Sequence, residues 1–290
     1  RYAAKRGGKV FVNKEDELVR AFQAAQTEAK STFGHEGVYL ERYFLEPRHI
    51  EVQVLADERG RVVSLGERDC SIQRRYQKLV EETPSPAVDD RLRREMGRMA
   101  TEAVKAVHYR NAGTVEFLLD KDQNFYFMEV NARIQVEHPV TEMVTGIDLI
   151  KEQIRIAAGL PLSVRQQDVR LAGHSFECRI NAECPEKFTP CPGLITRFHP
   201  PGGFGVRVDS AMESHSTVVP HYDSMIAKLI THGQTREEAM ARMRRALDEF
   251  VIDGIKTTIP LHRRIFNDAE FQKGRVSTGF LERLLANDSD

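Results

Sequence analysis

Residues 113–131 have the sequence GTVEFLLDKDQNFYFMEVN, in which two apolar runs flank a polar segment rich in turn-forming residues. Apolar runs separated in this way predict an antiparallel β-hairpin. A four-residue loop at positions 121–124 would pair Asp120 with Phe125 and place Glu116 opposite Glu129. Their Cβ atoms would then lie about 4.5–5.5 Å apart, where two carboxylates repel each other unless a cation lies between them.

The hairpin therefore predicts a divalent-cation site. Asn131 lies two positions after Glu129, on the same face of the strand, and adds a third oxygen ligand to Glu116 and Glu129. Oxygen ligands suit Mg²⁺ or Mn²⁺, which bind through one or two carboxylates together with substrate phosphates. The alternative is an edge hairpin with solvated glutamates, and a loop one residue longer would also change the register.

Residues 131–138, NARIQVEH, alternate between polar and apolar side chains. This period of two predicts an extended strand with Asn131, Arg133, Gln135 and Glu137 on one face. Arginine can hold a small planar anion through two hydrogen bonds, and a glutamate can remove a proton from it. The alternative is an exposed edge strand.

Residues 70–78, CSIQRRYQK, concentrate three cationic side chains and two amides. The segment is typical of an anion-binding loop, in which Lys78 would bind bicarbonate or phosphate. Gln73 or Tyr76 could reach a nucleotide. The alternative is a solvated basic surface.

Arg179 lies in the apolar strand-like segment 176–181, FECRIN. A buried guanidinium group needs a carboxylate or an anionic substrate as its partner. Glu177, on the same face of the strand, is one candidate for that partner.

The composition is that of an ordinary globular protein. The chain has 290 residues, 41% of them hydrophobic and 29% charged, and a formal net charge of −1. Such a balance favours neither nucleic acid nor a membrane surface as a partner. The four cysteines form no C-x-x-C pair, which favours reduced thiols, and neither an apolar run long enough for a membrane span nor a signal peptide is present. We therefore expect an intracellular protein.

The periodicity predicts an α-helix over residues 15–33, with Leu18, Phe22 and Ala25 on its apolar side. A second predicted helix, over residues 91–107, turns Leu92, Met96, Met99, Ala103 and Val107 inward. Patterning lapses at residues 162–173, which is a plausible border between two subdomains. The segment after this border is rich in predicted strands.

Together these motifs resemble the biotin carboxylase component of the biotin-dependent carboxylases, an ATP-grasp enzyme. The resemblance covers the chain from about Lys9 onward. It rests on ERYFLEPRHIEVQVLAD at 41–57, ERDCSIQRRYQKLVEE at 67–82, FMEVNARIQVEHPVTEMVTGIDLIKEQ at 127–153, FECRINAE at 176–183, PGGFGVRVDS at 201–210 and YDSMIAKLI at 222–230. It implies an α+β ATP-grasp fold with a partial lid (1–43), a large antiparallel-sheet core (44–165) and a C-terminal biotin carboxylase subdomain (166–290).

The resemblance also implies an activity: ATP- and bicarbonate-dependent carboxylation of biotin through carboxyphosphate, as in the first half-reaction of acetyl-CoA carboxylase. ATP with Mg²⁺ or Mn²⁺ would be required, and biotin would be carried by a biotin carboxyl carrier protein or domain. A carboxyltransferase, a homodimer, and a bacterial cytoplasm or organelle matrix complete the expectation. One alternative is a catalytically incompetent fragment that binds nucleotide or dimerises, and another is a different ATP-grasp ligase such as a carbamoyl phosphate synthase.

The same resemblance implies roles for individual residues. Contacts to ATP would come from Glu41, Arg42, Tyr43, Phe44, His49, Gln73, Tyr76, Glu116, Leu118 and Glu129. Bicarbonate would be bound by Lys78, Arg133, Gln135, Val136 and Arg179, and the metal by Glu116, Glu129 and Asn131. Arg133, Glu137 and Arg179 would be catalytic, with Glu137 as the general base and Arg179 also binding biotin.

The chain departs from the family pattern in places. The family has an N-terminal nucleotide-fold domain with an ATP-site lysine, and a lid with a second lysine before a long glycine run, and neither occurs here. Tyr76 replaces the commonest family histidine and Phe44 a leucine. We therefore expect a fragment whose phosphate-binding groups are incomplete.

Overall fold

The computed structural model describes residues 2–6 and 8–286. Its α-helices are α1 (Leu18–Phe33), α2 (Asp90–Ala106), α3 (His138–Thr145), α4 (Leu149–Ala157), α5 (Arg236–Glu249), α6 (Ile259–Asn267), α7 (Ala269–Gln272) and α8 (Phe280–Ala286). Its strands are β1 (Tyr2–Arg6), β2 (Gly8–Val12), β3 (Leu40–Arg42), β4 (Arg48–Ala56), β5 (Val62–Arg74), β6 (Gln77–Thr83), β7 (Asn111–Leu119), β8 (Phe125–Asn131), β9 (His174–Asn181), β10 (Gly193–Leu194), β11 (Arg197–His199), β12 (Val206–Asp209), β13 (Thr217–Val218), β14 (Met225–Gly233) and β15 (Val251–Asp253).

Contacts divide the chain into two units, residues 1–47 and 48–290. In the first unit a three-stranded antiparallel sheet, in the order β2-β1-β3, packs against α1. The apolar side of α1 is the predicted one, since Ala25 and Ala29 are buried and Leu18 and Phe22 are half-buried. The helix ends at Gly34, whose φ of 69° lies in the left-handed region that glycine adopts without a steric penalty.

An eight-stranded antiparallel sheet forms the centre of the second unit, in the order β12-β14-β9-β6-β5-β4-β7-β8. Its inner strands are buried on both faces, which is why their sequences are nearly continuous apolar runs. On one face, α2 covers β4 and β7 and α5 covers β9 and β14. On the other face, α3 packs against β5, β6, β9 and β14, and α4 against β7. The α+β class expected from the sequence is confirmed.

The predicted register of the β7–β8 hairpin is correct at the glutamates but wrong at the turn. Leu119, not Asp120, pairs with Phe125, because Asp120 belongs to the loop and its N–H donates to the carbonyl of Asn124. A register shift between the Glu116 and Phe117 pairs then adds one residue to β8, and Glu116 still pairs with Glu129. A longer loop and a β-bulge therefore compensate each other.

The predicted strand over residues 131–138 is also wrong beyond its first residue. β8 ends at Asn131, an irregular segment follows, and α3 begins at His138. Pro139 takes the second position of this helix, where its missing N–H costs nothing. The alternation of polar and apolar residues was misleading, because the backbone of this segment pairs with no described strand.

The inward face of α2 was predicted correctly at Leu92 and Met96 and wrongly at Met99 and Val107. Leu92, Met96, Ala100 and Val104 are buried, whereas Val107 follows the helix and is exposed. Met99, expected to point inward, is also exposed, because the buried stripe follows i, i+4 spacing from Leu92.

The eight-stranded sheet crosses the domain border expected near residue 165, since β6 from before it pairs with β9 from after it. The border itself therefore stays a prediction. No described helix combines the length and the apolar character needed to cross a membrane. All four cysteines are free thiols.

Candidate active site

A group of charged side chains lies on the face of the sheet that α3 covers, and Lys78 on β6 is at its centre. Its ammonium nitrogen lies 2.6 Å from an oxygen of Glu51, 2.9 Å from Glu116 and 2.6 Å from Glu137. Burial lowers the pKa of Lys78, but the charges of the surrounding carboxylates, Glu51 foremost, raise it above its ordinary value overall. The lysine is therefore a permanent cation that joins three strands and the start of α3.

Glu116 has partners for both of its oxygens. His49 Nε2 lies 2.9 Å from one oxygen, and the Gln135 amide donates to the other, which Lys78 also contacts. Burial raises the pKa of Glu116, but the hydrogen bond from His49 and the charge of Lys78 lower it well below its usual range overall. The amide of Gln73 in turn contacts His49 Nδ1 at 2.6 Å. Hydrogen bonds thus connect five of the predicted site residues: His49, Gln73, Lys78, Glu116 and Gln135.

Arg68 and Glu51 belong to the same group, and sequence reasoning missed both. Arg68 is 0% exposed and donates to Glu51 at 2.5 Å, to Gln53 at 2.7 Å and to Gln135 at 3.2 Å. Burial raises the pKa of Glu51, yet Arg68 and Lys78 lower it to about 2. The signal was present, because Glu51 lies in the apolar run of β4 as Glu116 lies in β7, and the two residues pair directly.

Arg179 on β9 is held by two carboxylates. Its Nε donates to Glu81 at 2.7 Å and an outer nitrogen donates to Glu137 at 2.9 Å. Glu177, the candidate partner named from the sequence, has no hydrogen bond to Arg179 and no other described partner. The guanidinium group is therefore fixed between a strand and the start of α3.

Glu137 lies just before α3 and is 2% exposed. One of its oxygens contacts Lys78 and the other contacts Arg179. The neighbouring carbonyl of Val136 accepts a hydrogen bond of 2.9 Å from Lys228 on β14. A carboxylate between two fixed cations has a defined orientation, which a proton acceptor for a bound anion requires.

Several predicted site residues lie outside this group. Arg133 is exposed and its guanidinium donates to the carbonyl of Ile134. Glu129 is exposed and accepts from the Asn131 amide at 3.2 Å, and Leu118 is half-buried on β7. Tyr76 is 75% exposed, in the turn between β5 and β6.

The predicted adenine contacts at residues 41–44 belong to the first unit. Glu41 and Arg42 lie on β3, and Tyr43 and Phe44 follow it. The Arg42 guanidinium carbon lies 5.0 Å from the centroid of the Phe44 ring. Their role in ATP binding stays a prediction.

Two sets of side chains have ligating atoms close enough for a metal ion: His49 with Glu51 and Glu116, and Glu51 with Cys70 and Glu137, each within 4.8 Å. Their nitrogen and sulfur donors are poorly matched to Mg²⁺, which prefers oxygen. Glu116, Glu129 and Asn131 offer oxygen donors alone, and the last two lie at the accessible edge strand β8. By the type of their donor atoms these three residues suit a magnesium or manganese ion, and their assignment as metal ligands stays a prediction.

Comparison with known proteins matches two family models to the chain. Residues 1–165 match the model described as the carbamoyl-phosphate synthase L chain, ATP binding domain, and residues 177–283 match the biotin carboxylase C-terminal domain. The first match ends at residue 165, where the border was expected, and the second begins at residue 177.

Two relatives have the same residue as this chain at more than half of the aligned positions. It is 58% identical to biotin carboxylase 1 of Bacillus subtilis over 92% of its own length and 60% of the relative's. It is 55% identical to the biotin carboxylase of Haemophilus influenzae, covering 96% of the chain and 62% of the relative. The chain thus spans about three fifths of the length of these relatives.

A similar solved structure is the biotin carboxylase domain dimer of the Hydrogenobacter thermophilus 2-oxoglutarate carboxylase, in complex with MgADP, ADP and bicarbonate. The TM-score is 0.90 and the sequence identity 48%, with 98% of this chain and 65% of that chain covered.

Proposed function

Because the chain belongs to the biotin carboxylase family, with an ATP-grasp fold and the C-terminal biotin carboxylase subdomain, we propose that the full-length protein carboxylates biotin at the expense of ATP. Bicarbonate would be activated as carboxyphosphate, and the carboxyl group would pass to biotin on its carrier. Among the observations on this chain, the position of Glu137 between Lys78 and Arg179 carries the proposal.

This arrangement supports separate roles for the base and for the two cations. Lys78 and Arg179 would attract bicarbonate and compensate its charge, and Glu137 would take its proton, so that the more nucleophilic carbonate oxygen attacks the γ-phosphate. Placing reactants and neutralising charge is most of what phosphoryl transfer needs from a protein. When carboxyphosphate breaks into CO₂ and phosphate, the released phosphate would take the N1′ proton of biotin, and Arg179 would stabilise the biotin enolate that attacks CO₂.

A divalent cation would support the same reaction at the edge of the sheet that β8 forms. Glu116, Glu129 and Asn131 would hold Mg²⁺ or Mn²⁺, which neutralises phosphate charge when bound. His49 and Gln73, which contact each other next to Glu116, would approach the nucleotide. Tyr76, Leu118 and residues 41–44 would contact its base and ribose.

Of the alternatives, a carbamoyl phosphate synthase is disfavoured by the match of residues 177–283 to the biotin carboxylase C-terminal domain. That region supplies Arg179 and Lys228, which contact Glu137 and the carbonyl of Val136. A fragment that binds nucleotide or dimerises without turnover remains the alternative for the isolated chain. As partners of the full-length protein we propose a biotin carboxyl carrier, a carboxyltransferase and a second copy.

The test is bicarbonate- and biotin-dependent ADP release by the full-length protein and its Glu137→Gln variant. We expect the variant to lose about 10²–10⁴-fold in kcat, the range for a positioned general base. Glu152→Gln is the matched control, because Glu152 is also buried, and the described partners of its carboxylate are Ser163 and Arg155 around α4. Normal turnover by Glu137→Gln would reject the base assignment, and biotin-independent ADP release by the parent would reject the reaction.

A further inference from the structure

Glu177 on β9 is the carboxylate that the active-site cations leave without a contact. Its side chain is fully buried, and neither oxygen has a hydrogen-bond partner in the described part of the chain. Each of Glu51, Glu81, Glu116 and Glu137, by contrast, is contacted by a lysine or an arginine. A buried carboxylate without a partner is costly to ionise and takes up a proton instead.

Glu81 lies directly opposite Glu177 on the neighbouring strand β6 and is also 0% exposed. One of its oxygens accepts the hydrogen bond from Arg179 Nε, and the other has no described partner. Directly opposed residues have Cβ atoms about 4.5–5.5 Å apart. Two carboxylates at this separation in a buried site cannot both ionise easily, so one proton is retained between them.

The surrounding charges do not offer Glu177 a substitute for that proton. The charged groups that act on the pair are Arg179 on β9, Lys78 on β6, Lys228 on β14 and Glu137 before α3, and Glu81 acts in turn on the Cys70 thiol of β5. Lys228 donates to the carbonyl of Val136 and lies 3.7 Å from Asp209. His138 Nδ1 contacts the carbonyl of Gln135. The opposite face of β9 contributes the apolar side chains of Phe176 and Cys178 to the core under α5.

We propose that Glu177 and Glu81 share one proton, and that Glu177 is thereby a positioning residue that keeps Arg179 directed toward Glu137. The proposal rests on the proposed function, in which Arg179 binds bicarbonate and biotin. If both carboxylates were ionised, the second negative charge would draw the guanidinium group toward the pair and away from Glu137.

The electrostatics support the sharing of a proton. Burial raises the pKa of Glu177 well above its ordinary value, and the charge of Glu81 raises it further. Burial also raises the pKa of Glu81 to about 7, against the opposing effect of Arg179. The pair therefore keeps its proton to a higher pH than an ordinary glutamate does.

Two variants of the full-length protein separate a shared proton from an ion pair. Glu177→Gln keeps the shape and replaces the acid by an amide that cannot lose its proton. We expect its KM for biotin to stay low at alkaline pH, where the KM of the parent rises. Glu81→Gln keeps an oxygen that can accept from Arg179 but removes its negative charge, and its biotin KM should rise at every pH by at least about tenfold, as for the loss of one charge-assisted hydrogen bond.

The stability of the folded protein provides a readout that does not depend on catalysis. A proton held in the folded state but lost from the unfolded chain above its pKa of about 4.3 makes stability fall as pH rises. Glu177→Gln lacks this proton, so its melting temperature relative to the parent should rise between about pH 5 and about pH 8. A melting-temperature difference that does not rise over this range would show that Glu177 is ionised in the folded protein and would overturn the proposal.

Glu67→Gln is the matched control, because Glu67 is 1% exposed and its carboxylate is held by Arg93 on α2, away from Arg179. It should lower stability without changing the biotin KM. A KM for Glu177→Gln equal to that of Glu81→Gln at neutral pH, or an equal rise in Glu67→Gln, would overturn the positioning role. If the parent does not carboxylate biotin, the proposed function fails, and the melting comparison alone decides the shared proton.

Discussion

At the scale of single residues, Lys78 determines which carboxylates of the site stay ionised. Its ammonium contacts three carboxylates that belong to β4, β7 and the start of α3, so each of them gains from staying ionised. Removing such a buried cation would leave carboxylates without compensation, which is strongly unfavourable. The charged side chains of the site therefore hold one another in fixed positions without a ligand.

Glu129 provides the test of the metal site. Glu129→Gln keeps the hydrogen bond with Asn131 possible but removes the negative charge at the edge of the sheet. We expect Mg²⁺-dependent nucleotide binding by the full-length protein to weaken by at least about tenfold, since a cation site loses one of its two carboxylates. Magnesium titration of ADP binding measures this.

A matched control for that experiment is Glu58→Gln. Glu58 is also exposed and pairs only with Arg110, at 3.5 Å, in the turn after β4. An equal loss of magnesium affinity in both variants, or none in Glu129→Gln, would remove the metal assignment from Glu129.

The residues found from the sequence were those whose chemistry contradicts their surroundings. Glu116 and Arg179 stand out because each lies in an apolar run and burial of a charge requires a partner. Glu51 and Arg68 have the same property but lie in strands that also carry Gln53, Glu67 and Asp69, so the contrast is weaker. The positions of Arg133 and Tyr76 depend on loops and not on a repeating pattern, and the sequence gives no means to derive them.

At the scale of elements, α6 fixes the backbone of the strand that carries Arg179. His262 Nε2 donates to the carbonyl of Arg179 at 2.7 Å, and Thr258 Oγ1 donates to the same carbonyl at 3.1 Å. Burial lowers the pKa of His262 to about 4, so the ring is neutral at neutral pH. A helix that follows far along the chain thus sets the position of a site residue on β9.

Because the pKa of His262 is lowered, the free energy of unfolding should change with pH in the mildly acid range. The unfolded chain takes up a proton below about pH 6.5 while the folded ring does so only near pH 4, so unfolding becomes easier as pH falls through this window. We expect His262→Gln to lose less stability than the parent between these pH values, by roughly 3 kcal/mol. Urea unfolding at each pH measures the difference.

The exposed His199 offers a control for this prediction. His199→Gln should leave the slope of stability against pH unchanged, because the ring is exposed on β11. A slope that His262→Gln does not alter would show that folding does not lower the pKa of this histidine.

Elements with a long repeating sequence pattern could be predicted. A register that depends on a loop and a bulge offsetting each other could not. The stripe of α1 follows from its 3.6-residue period. The β7–β8 register is correct at Glu116 only because a longer loop and a bulge cancel, and neither has a clear signature in the sequence. The helix α3 was hidden behind an alternating segment of polar residues, since its eight residues offer barely two turns of pattern.

At the scale of the whole second unit, Glu82 joins the sheet to the helices on its other face. Its carboxylate on β6 accepts from Arg236 on α5 at 2.7 Å and contacts His174 on β9 at 2.8 Å. Burial raises the pKa of Glu82, but the hydrogen bond from His174 and the charge of Arg236 lower it to about 2. This ion pair is a long-range tie between parts of the chain more than 90 residues apart.

Loss of that tie should be visible in strong acid. Because the pKa of Glu82 is lowered, its contribution is present above the unfolded value near 4.3 and is lost as pH falls toward 2. Glu82→Gln should cost about 3–5 kcal/mol at neutral pH, as for a buried pair that loses one partner. The cost should shrink as pH falls from about 4 to about 2.

Calorimetric or urea unfolding of the parent and the variant at neutral and acid pH measures both quantities. Glu102→Gln, which breaks an exposed pair with Arg98 on α2, serves as the control and should change stability by at most about 1 kcal/mol. A cost for Glu82→Gln that does not depend on pH would contradict a carboxylate ionised in the fold.

The pairing of β6 with β9 also bears on when the site can form during synthesis. Glu81 and Arg179 are joined across almost a hundred residues, and Lys228 follows some fifty residues later. Chains emerge from the ribosome from the N-terminus onward, and contacts distant in sequence form slowly. The nascent chain therefore presents Glu51, Glu81, Glu116 and Glu137 well before Arg179 and Lys228 have been made. A ribosome-bound intermediate would therefore hold Glu81 and Glu137 without their contacts to Arg179, and the candidate site is complete only after β14 has been released.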